Sequence, residues 1–144
     1  MYWLIIGLAV GLDQLTKNLV RLSFELGETH CLIPKLLDFI YIHNSGAAWG
    51  ILEGKQTLLI IFTAAVMLAM VVFSLVYRKK LTRLEFYSLA MIVGGGIGNL
   101  IDRVTFNYVT DFIDIHIIPV FNVADIFVTV GCFLLIIAEI THSK

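Results

Sequence analysis

The sequence predicts an α-helical, polytopic membrane protein, with four transmembrane helices beneath a small strand-rich extracytoplasmic cap. Three observations predict it. Of the 144 residues, 59% are apolar, where a soluble domain has about half. Residues 57–77 contain no charge, and about 20 apolar residues suffice to cross a bilayer as a helix. Basic residues crowd one short connection, Arg78, Lys79, Lys80 and Arg83, as expected of a cytoplasmic loop.

The first helix covers residues 1–22. It lacks a basic leader, and Asp13 and Lys17 interrupt the place where a signal peptidase would cut. It therefore reads as a retained helix, not a signal peptide. An outer segment, 23–56, follows. Its residues 36–43 are aromatic and β-branched, as strands are, and Gly46, Gly50 and Gly54 then break regular structure. The second helix is 57–77. The third is built on the uncharged block 86–101 and the fourth on 126–138. Between them lies a second outer segment, 102–121, in which residues 108–118 read as extended and Pro119 closes the run. Backbone without partners cannot face lipid, so the strands should rest on the outer ends of the helices. Trp49, Tyr41 and Tyr108 suit the membrane interface. Four alternating spans with the basic loop inside put both termini in the cytoplasm and both outer segments outside. Residues 1–144 carry no repeat or linker and read as one membrane-embedded domain.

The net charge of −1 offers nothing to nucleic acid. Cys31 and Cys132 fall at different depths, so no disulfide is expected. His30 beside Cys31 suggests a base and nucleophile, but sequence neighbours rarely have that geometry.

Against this apolar background, the acidic residues near the C-terminus carry the functional signal. Asn122 precedes an apolar helix and is a good N-cap. Asp125 then occupies the first turn, where the helix dipole favours a carboxylate. Capping alone would explain the pair in a soluble protein. At the edge of hydrocarbon, a carboxylate is a functional-site hypothesis. A second acid should meet it. If 108–118 is extended, Asp111 and Asp114 point to opposite faces, and alternation does not choose between them. An Asp114–His116 surface pair is the plain alternative. Two carboxylates at one end of a bundle suggest a shared-proton dyad of the kind that activates water.

Other residues gather around this end. Asn99 and Arg103 are four apart and share a helical face, which could deliver an amide and a guanidinium to a substrate carbonyl. Arg103 could equally pair with Asp102. Gly94, Gly95, Gly96 and Gly98 permit close approach of a helix. Asp13 and Lys17, also four apart, form either a structural pair or a substrate-orienting one. Asn44-Ser45-Gly46-Ala47-Ala48-Trp49 is a small-residue turn. A competing class is a small membrane carrier or metal-handling protein using Asp13, Asp111, Asp125 and His116. A conduction path needs polar residues at several depths, however, and 57–77 has almost none. A metallopeptidase would be expected to show His-Glu-x-x-His or a comparable spacing, which is absent.

Together these stretches resemble the lipoprotein signal peptidases, the type II signal peptidases of bacteria, over nearly the whole chain. Asp13-x-x-x-Lys17 resembles the family's first motif and Asn44-x-Gly46-Ala47-Ala48-Trp49 its second. Gly98-Asn99-x-x-Asp102-Arg103 resembles the third, Val109-x-Asp111-Phe112 the fourth, and Phe121-Asn122-x-Ala124-Asp125 the fifth. One departure is Asn107, where the family usually has glycine; asparagine is the next-best residue for a left-handed turn.

The resemblance implies an aspartic endopeptidase of the bacterial cytoplasmic membrane. It would cut the signal peptide from prolipoproteins just before the diacylglyceryl-modified cysteine. Asp111 and Asp125 would be the catalytic pair, and Asn44, Asn99, Arg103 and Asn122 the supporting residues. No metal or cofactor is implied. The expected partners are the prolipoprotein and membrane lipid, the expected state is a monomer, and globomycin-like cyclic peptides should inhibit.

Overall fold

The computed structural model describes residues 1–46 and 55–142. The expected positions Ala47, Ala48, Trp49, Gly50 and Gly54 lie outside the described residues. Four long helices and three strands follow in the order α1 (Tyr2–Ser23), β1 (Thr29–Ile33), β2 (Leu37–Asn44), α2 (Gln56–Val76), α3 (Arg83–Phe106), β3 (Val109–Asp114) and α4 (Val123–His142). Among the described residues, α2, α3 and α4 are long and apolar enough to cross a membrane. α1 is 22 residues long but carries Asp13, Lys17 and Arg21.

α3 is the central helix and packs on α1, α2 and α4. Its start is a capping box: Thr82 accepts from the Glu85 N–H, and the Glu85 side chain accepts from the Thr82 N–H. Glycine sets how closely its neighbours approach. A Cβ on Gly94 would lie 2.7 Å from Ala9 Cβ of α1, and one on Gly98 would lie 2.5 Å from Asp13 Oδ2. The expectation of close helix packing at these glycines therefore holds. At the end away from the sheet, Tyr2, Ile6, Phe86, Leu89, Ala90 and Val93 form a core, with the Tyr2 and Phe86 rings stacked at 4.5 Å. α2 buries only Leu59 and Ser74, as a helix facing lipid would.

α3 ends on Asn107, whose φ of 61° is left-handed. Asparagine tolerates that region, so the turn into β3 survives without glycine. The strands form one antiparallel sheet in the order β1-β2-β3. Asn44 pairs with Val109 and Ile42 with Asp111, and an irregularity between Phe39 and Ile42 resets the register to Asp38 opposite Asp114.

Two expectations need correction, and one strand was missed. β1 was not foreseen, because all five of its residues are exposed and no alternation marks it. The third strand stops at Asp114 rather than 118, because His116 turns the chain with a φ of 62°. Tyr41 is no interfacial anchor: it points inward, 8% exposed, against Val20 and Phe112.

Candidate active site

β3 delivers its side chains alternately. Thr110 and Phe112 turn toward α1, Phe112 into the small core with Val20 and Tyr41. Val109 and Asp111 turn the other way and line a cavity of about 780 Å³. Asn44, Asn99, Arg103 and Asp125 line the same cavity. The alternation that left Asp111 and Asp114 open is thereby resolved: Asp111 joins Asp125. Asp114 instead pairs with His116 at 3.5 Å, the plain alternative.

Asn122 ties the two carboxylates together. Its backbone N–H donates to Asp125 Oδ2 (3.2 Å), and its Oδ1 accepts from the Asp125 N–H (3.0 Å). That reciprocal pair is a helix cap, as expected. The same side chain donates through Nδ2 to Asp111 Oδ1 at 2.6 Å. Capping and site-building are therefore one arrangement. Asn44 donates to the other Asp111 oxygen at 2.8 Å and accepts from the Gly46 N–H at 3.0 Å. Asn99 donates to Asp125 Oδ1 at 2.8 Å.

Burial pushes the Asp111 carboxyl up to about 7, helped by the charge of Asp125 and opposed by the amides of Asn44 and Asn122. Desolvation disfavours the charged form, and a second carboxylate disfavours it further.

Behind the cavity lies a buried ionic cluster. Lys17, Asp13 and Asp102 are fully buried. Lys17 Nζ lies 2.8 Å from Asp13 and 3.6 Å from Asp102, and Arg21 lies 3.3 Å from Asp102. Two cations thus balance two anions. Gln14 stitches the group together, donating to Asp13, Asp102 and the Gly98 carbonyl. The cluster reaches the cavity by three routes. Lys17 donates to Asn99 Oδ1 at 2.8 Å, and Asn122 Nδ2 also donates there at 3.1 Å. With its oxygen held twice, the Asn99 amide must present its N–H to Asp125. Asp102 accepts the Thr110 N–H at 2.9 Å, and Arg21 donates to the Thr110 hydroxyl at 2.7 Å. Thr110 is the residue before Asp111. Asp13 holds the other side, accepting the Ala124 N–H at 2.9 Å, next to Asp125.

The simple reading of Asp102-Arg103 as an interfacial ion pair is thus wrong. Asp102 turns inward to Lys17 and Arg21, and Arg103 donates to the Gly46 carbonyl at 3.3 Å. Neighbours in a helix diverge by about 100°, so one faces the bundle and the other the cavity. Asp13 and Lys17 do not line the cavity. Gln14, Arg21 and Thr110 were missed from sequence. Arg21 was detectable, because Asp13, Lys17 and Arg21 recur every four residues along one face. Cys31 and Cys132 are both free. His30 pairs with Glu28 rather than Cys31. Among the described residues, no group of three His, Cys, Asp or Glu is placed to hold a metal ion.

The family profile described as signal peptidase (SPase) II matches residues 5–141. The chain belongs to the signal peptidase II family. Its similarity to other members runs nearly end to end. It is 42% identical over 135 residues to the lipoprotein signal peptidase of Caldicellulosiruptor bescii, covering 94% of this chain and 87% of that one. It is 36% identical over 137 residues to that of Halothermothrix orenii, covering 95% and 93%. A solved bacterial membrane enzyme superimposes with a TM-score of 0.90 at 35% identity, covering 99% of this chain and 89% of the other. As a signal peptidase II the chain is a peptidase; Asn44, Asn99, Arg103, Asp111 and Asp125, from four of the five expected motifs, line one cavity, and Asp13 and Lys17 lie behind it.

Proposed function

We propose that this protein is an aspartic endopeptidase that removes the signal peptide from diacylglyceryl-modified prolipoproteins, cutting just before the lipidated cysteine. One observation carries the catalytic type. Asp111 and Asp125, from different elements, line one cavity and are bridged by the single residue Asn122, which donates from its side-chain amide to Asp111 and from its backbone N–H to Asp125. In this reading α1 is a fourth span, its charges satisfied within the bundle rather than by lipid. The basic loop at Arg78–Lys80 then lies in the cytoplasm with both termini. The cavity opens at the outer face of the bacterial cytoplasmic membrane, where a substrate tethered by acyl chains can reach it. A single domain, working as a monomer, contains every residue needed.

The chemistry follows from two unequal acids. Asp111 begins protonated and Asp125 ionised, the latter held by the helix start, Asn99 and the Asn122 N–H. Asp125 takes a proton from water as its oxygen attacks the scissile carbonyl. Asp111 gives its proton to the carbonyl oxygen. The resulting diol collapses: the C–N bond breaks, Asp125 passes its proton to the leaving nitrogen, and a diol hydroxyl returns one to Asp111.

The purified protein, given a diacylglyceryl-modified prolipoprotein, should release signal peptide in the presence of EDTA and be blocked by globomycin. Activity should fall as pH rises through about 7, because Asp111 then loses the proton it must donate. Activity lost in EDTA and restored by zinc, or a rate still rising above pH 8, would refute the mechanism.

Arg103 is the group best placed to hold the substrate backbone. It lines the cavity and, among the described residues, its buried Nε has no partner. Hydrogen bonds from charged groups contribute about 1.5–3 kcal/mol, so Arg103→Ala should lower kcat/KM by about ten- to a hundredfold. Arg103→Lys should recover only part, because the fork is lost. A loss of thermal stability with unchanged kcat/KM per folded molecule would make the residue structural.

A further inference from the structure

The segment between β3 and α4 forms part of the cavity wall through Ile118, Pro119 and Val120. Its C-terminal end is tied back: Phe121 N donates to the Ile113 carbonyl at 3.0 Å, and the Phe121 carbonyl accepts from Phe112 N at 3.0 Å. Its start is tied by His116. The His116 Nε2 lies 3.3 Å from Asp38 Oδ2 of β2, and its Nδ1 lies 3.5 Å from Asp114 Oδ2 of β3. Its backbone N–H donates to Asp114 Oδ1 at 2.8 Å. A neutral imidazole has one N–H donor and an imidazolium has two. Only the imidazolium can donate to both carboxylates at once.

Two features make that charge matter. Asp38 and Asp114 are direct partners across the antiparallel pair, and like charges directly opposite repel. A cation between them converts the repulsion into a bridge. His116 also holds a φ of 62°, a conformation that costs an L residue free energy and persists only where its surroundings enforce it. Among the described residues, the Cys31 thiol of β1, directly opposite Asp38, also faces this acid pair; Asp38 pushes that thiol up, so it brings no cation.

We propose that His116 is a positioning residue: as an imidazolium it clasps Asp38 to Asp114, holding residues 115–120 as a wall of the cavity, so that substrate binds more tightly below neutral pH than above it. The effect on substrate rests on the peptidase reading; the effect on the segment does not.

The full-length protein in detergent micelles separates the two. Amide exchange of a peptide covering 115–120 should be about three- to tenfold faster in His116→Asn than in the wild type at pH 6, and equal at pH 8, where imidazoles are neutral. Asparagine keeps the left-handed turn accessible, so the comparison isolates charge. In an Asp38→Asn background, the difference at pH 6 should shrink to under about twofold, because the repulsion is gone. KM for the prolipoprotein should rise by a similar factor in His116→Asn at pH 6, with kcat unchanged. Comparing variant with wild type at each pH cancels the titration of the aspartates. Equal exchange at both pH values, or a difference that persists at pH 8, would overturn the clasp. Altered exchange in a protein whose wild type cleaves no prolipoprotein would uphold the clasp and sink the peptidase reading instead.

Discussion

Asp111→Asn and Asp125→Asn should each abolish cleavage, by at least about a thousandfold, while leaving a folded protein. General acid–base groups typically contribute 10²–10⁴-fold each, and here neither acid has a stand-in. An amide cannot pass a proton to or from water at neutral pH. The fold should tolerate both changes. Asparagine at 111 still offers a carbonyl oxygen to Asn44 or Asn122, and it removes a carboxylate whose burial already opposes ionisation. Thermal stability of Asp111→Asn should therefore equal or exceed that of the wild type. Asp114→Asn, whose side chain faces His116 rather than the cavity, should cleave with a normal kcat. Turnover within tenfold of the wild type in either of the first two variants would remove the dyad from the mechanism.

Lys17→Met should produce the second largest effect, and it should act through stability. Methionine nearly matches the lysine stem in volume, so little packing is lost. What is lost is the cation 2.8 Å from Asp13 and 3.6 Å from Asp102, all three side chains being fully buried. Breaking a buried pair from one side leaves an uncompensated charge and costs about 3–5 kcal/mol. The damage should reach the cavity as well, because Lys17 fixes the Asn99 amide that faces Asp125. Removing the charges together should hurt less: Asp13→Asn in the Lys17→Met background should recover part of the lost thermal stability. A Lys17→Met variant that melts like the wild type would show that the cluster contributes nothing net.

Much of this was legible in the sequence. The apolar blocks located the helices to within a few residues, because burial in lipid leaves a long uncharged signature. The cap of α4 was readable from Asn122 and Asp125, since capping depends on local spacing. The choice of Asp111 over Asp114 was not readable from alternation, which places two acids on opposite faces without saying which face meets α4; only the family motif separated them. The inward turn of Asp102 was hidden for a different reason. Its partners Lys17 and Arg21 lie more than eighty positions away, and adjacent Arg103 offered a simpler explanation. β1 left no trace because an edge strand with both faces exposed has no periodicity to detect.

The balanced charges behind the cavity also bear on how the chain is made. Asp13, Lys17 and Arg21 emerge from the ribosome first, and Asp102 emerges last of the four. Until α3 is complete, Lys17 and Arg21 have one buried anion between them instead of two. As the proposed fourth span, α1 would be a poor resident of the bilayer on its own, and its charges would await a helix synthesised some eighty residues later. Arrival of α3 supplies the missing countercharge and, in the same step, brings Asn99 against Lys17. In the proposed four-span arrangement, integration of the first helix and assembly of the carboxylate site are therefore coupled through one cluster.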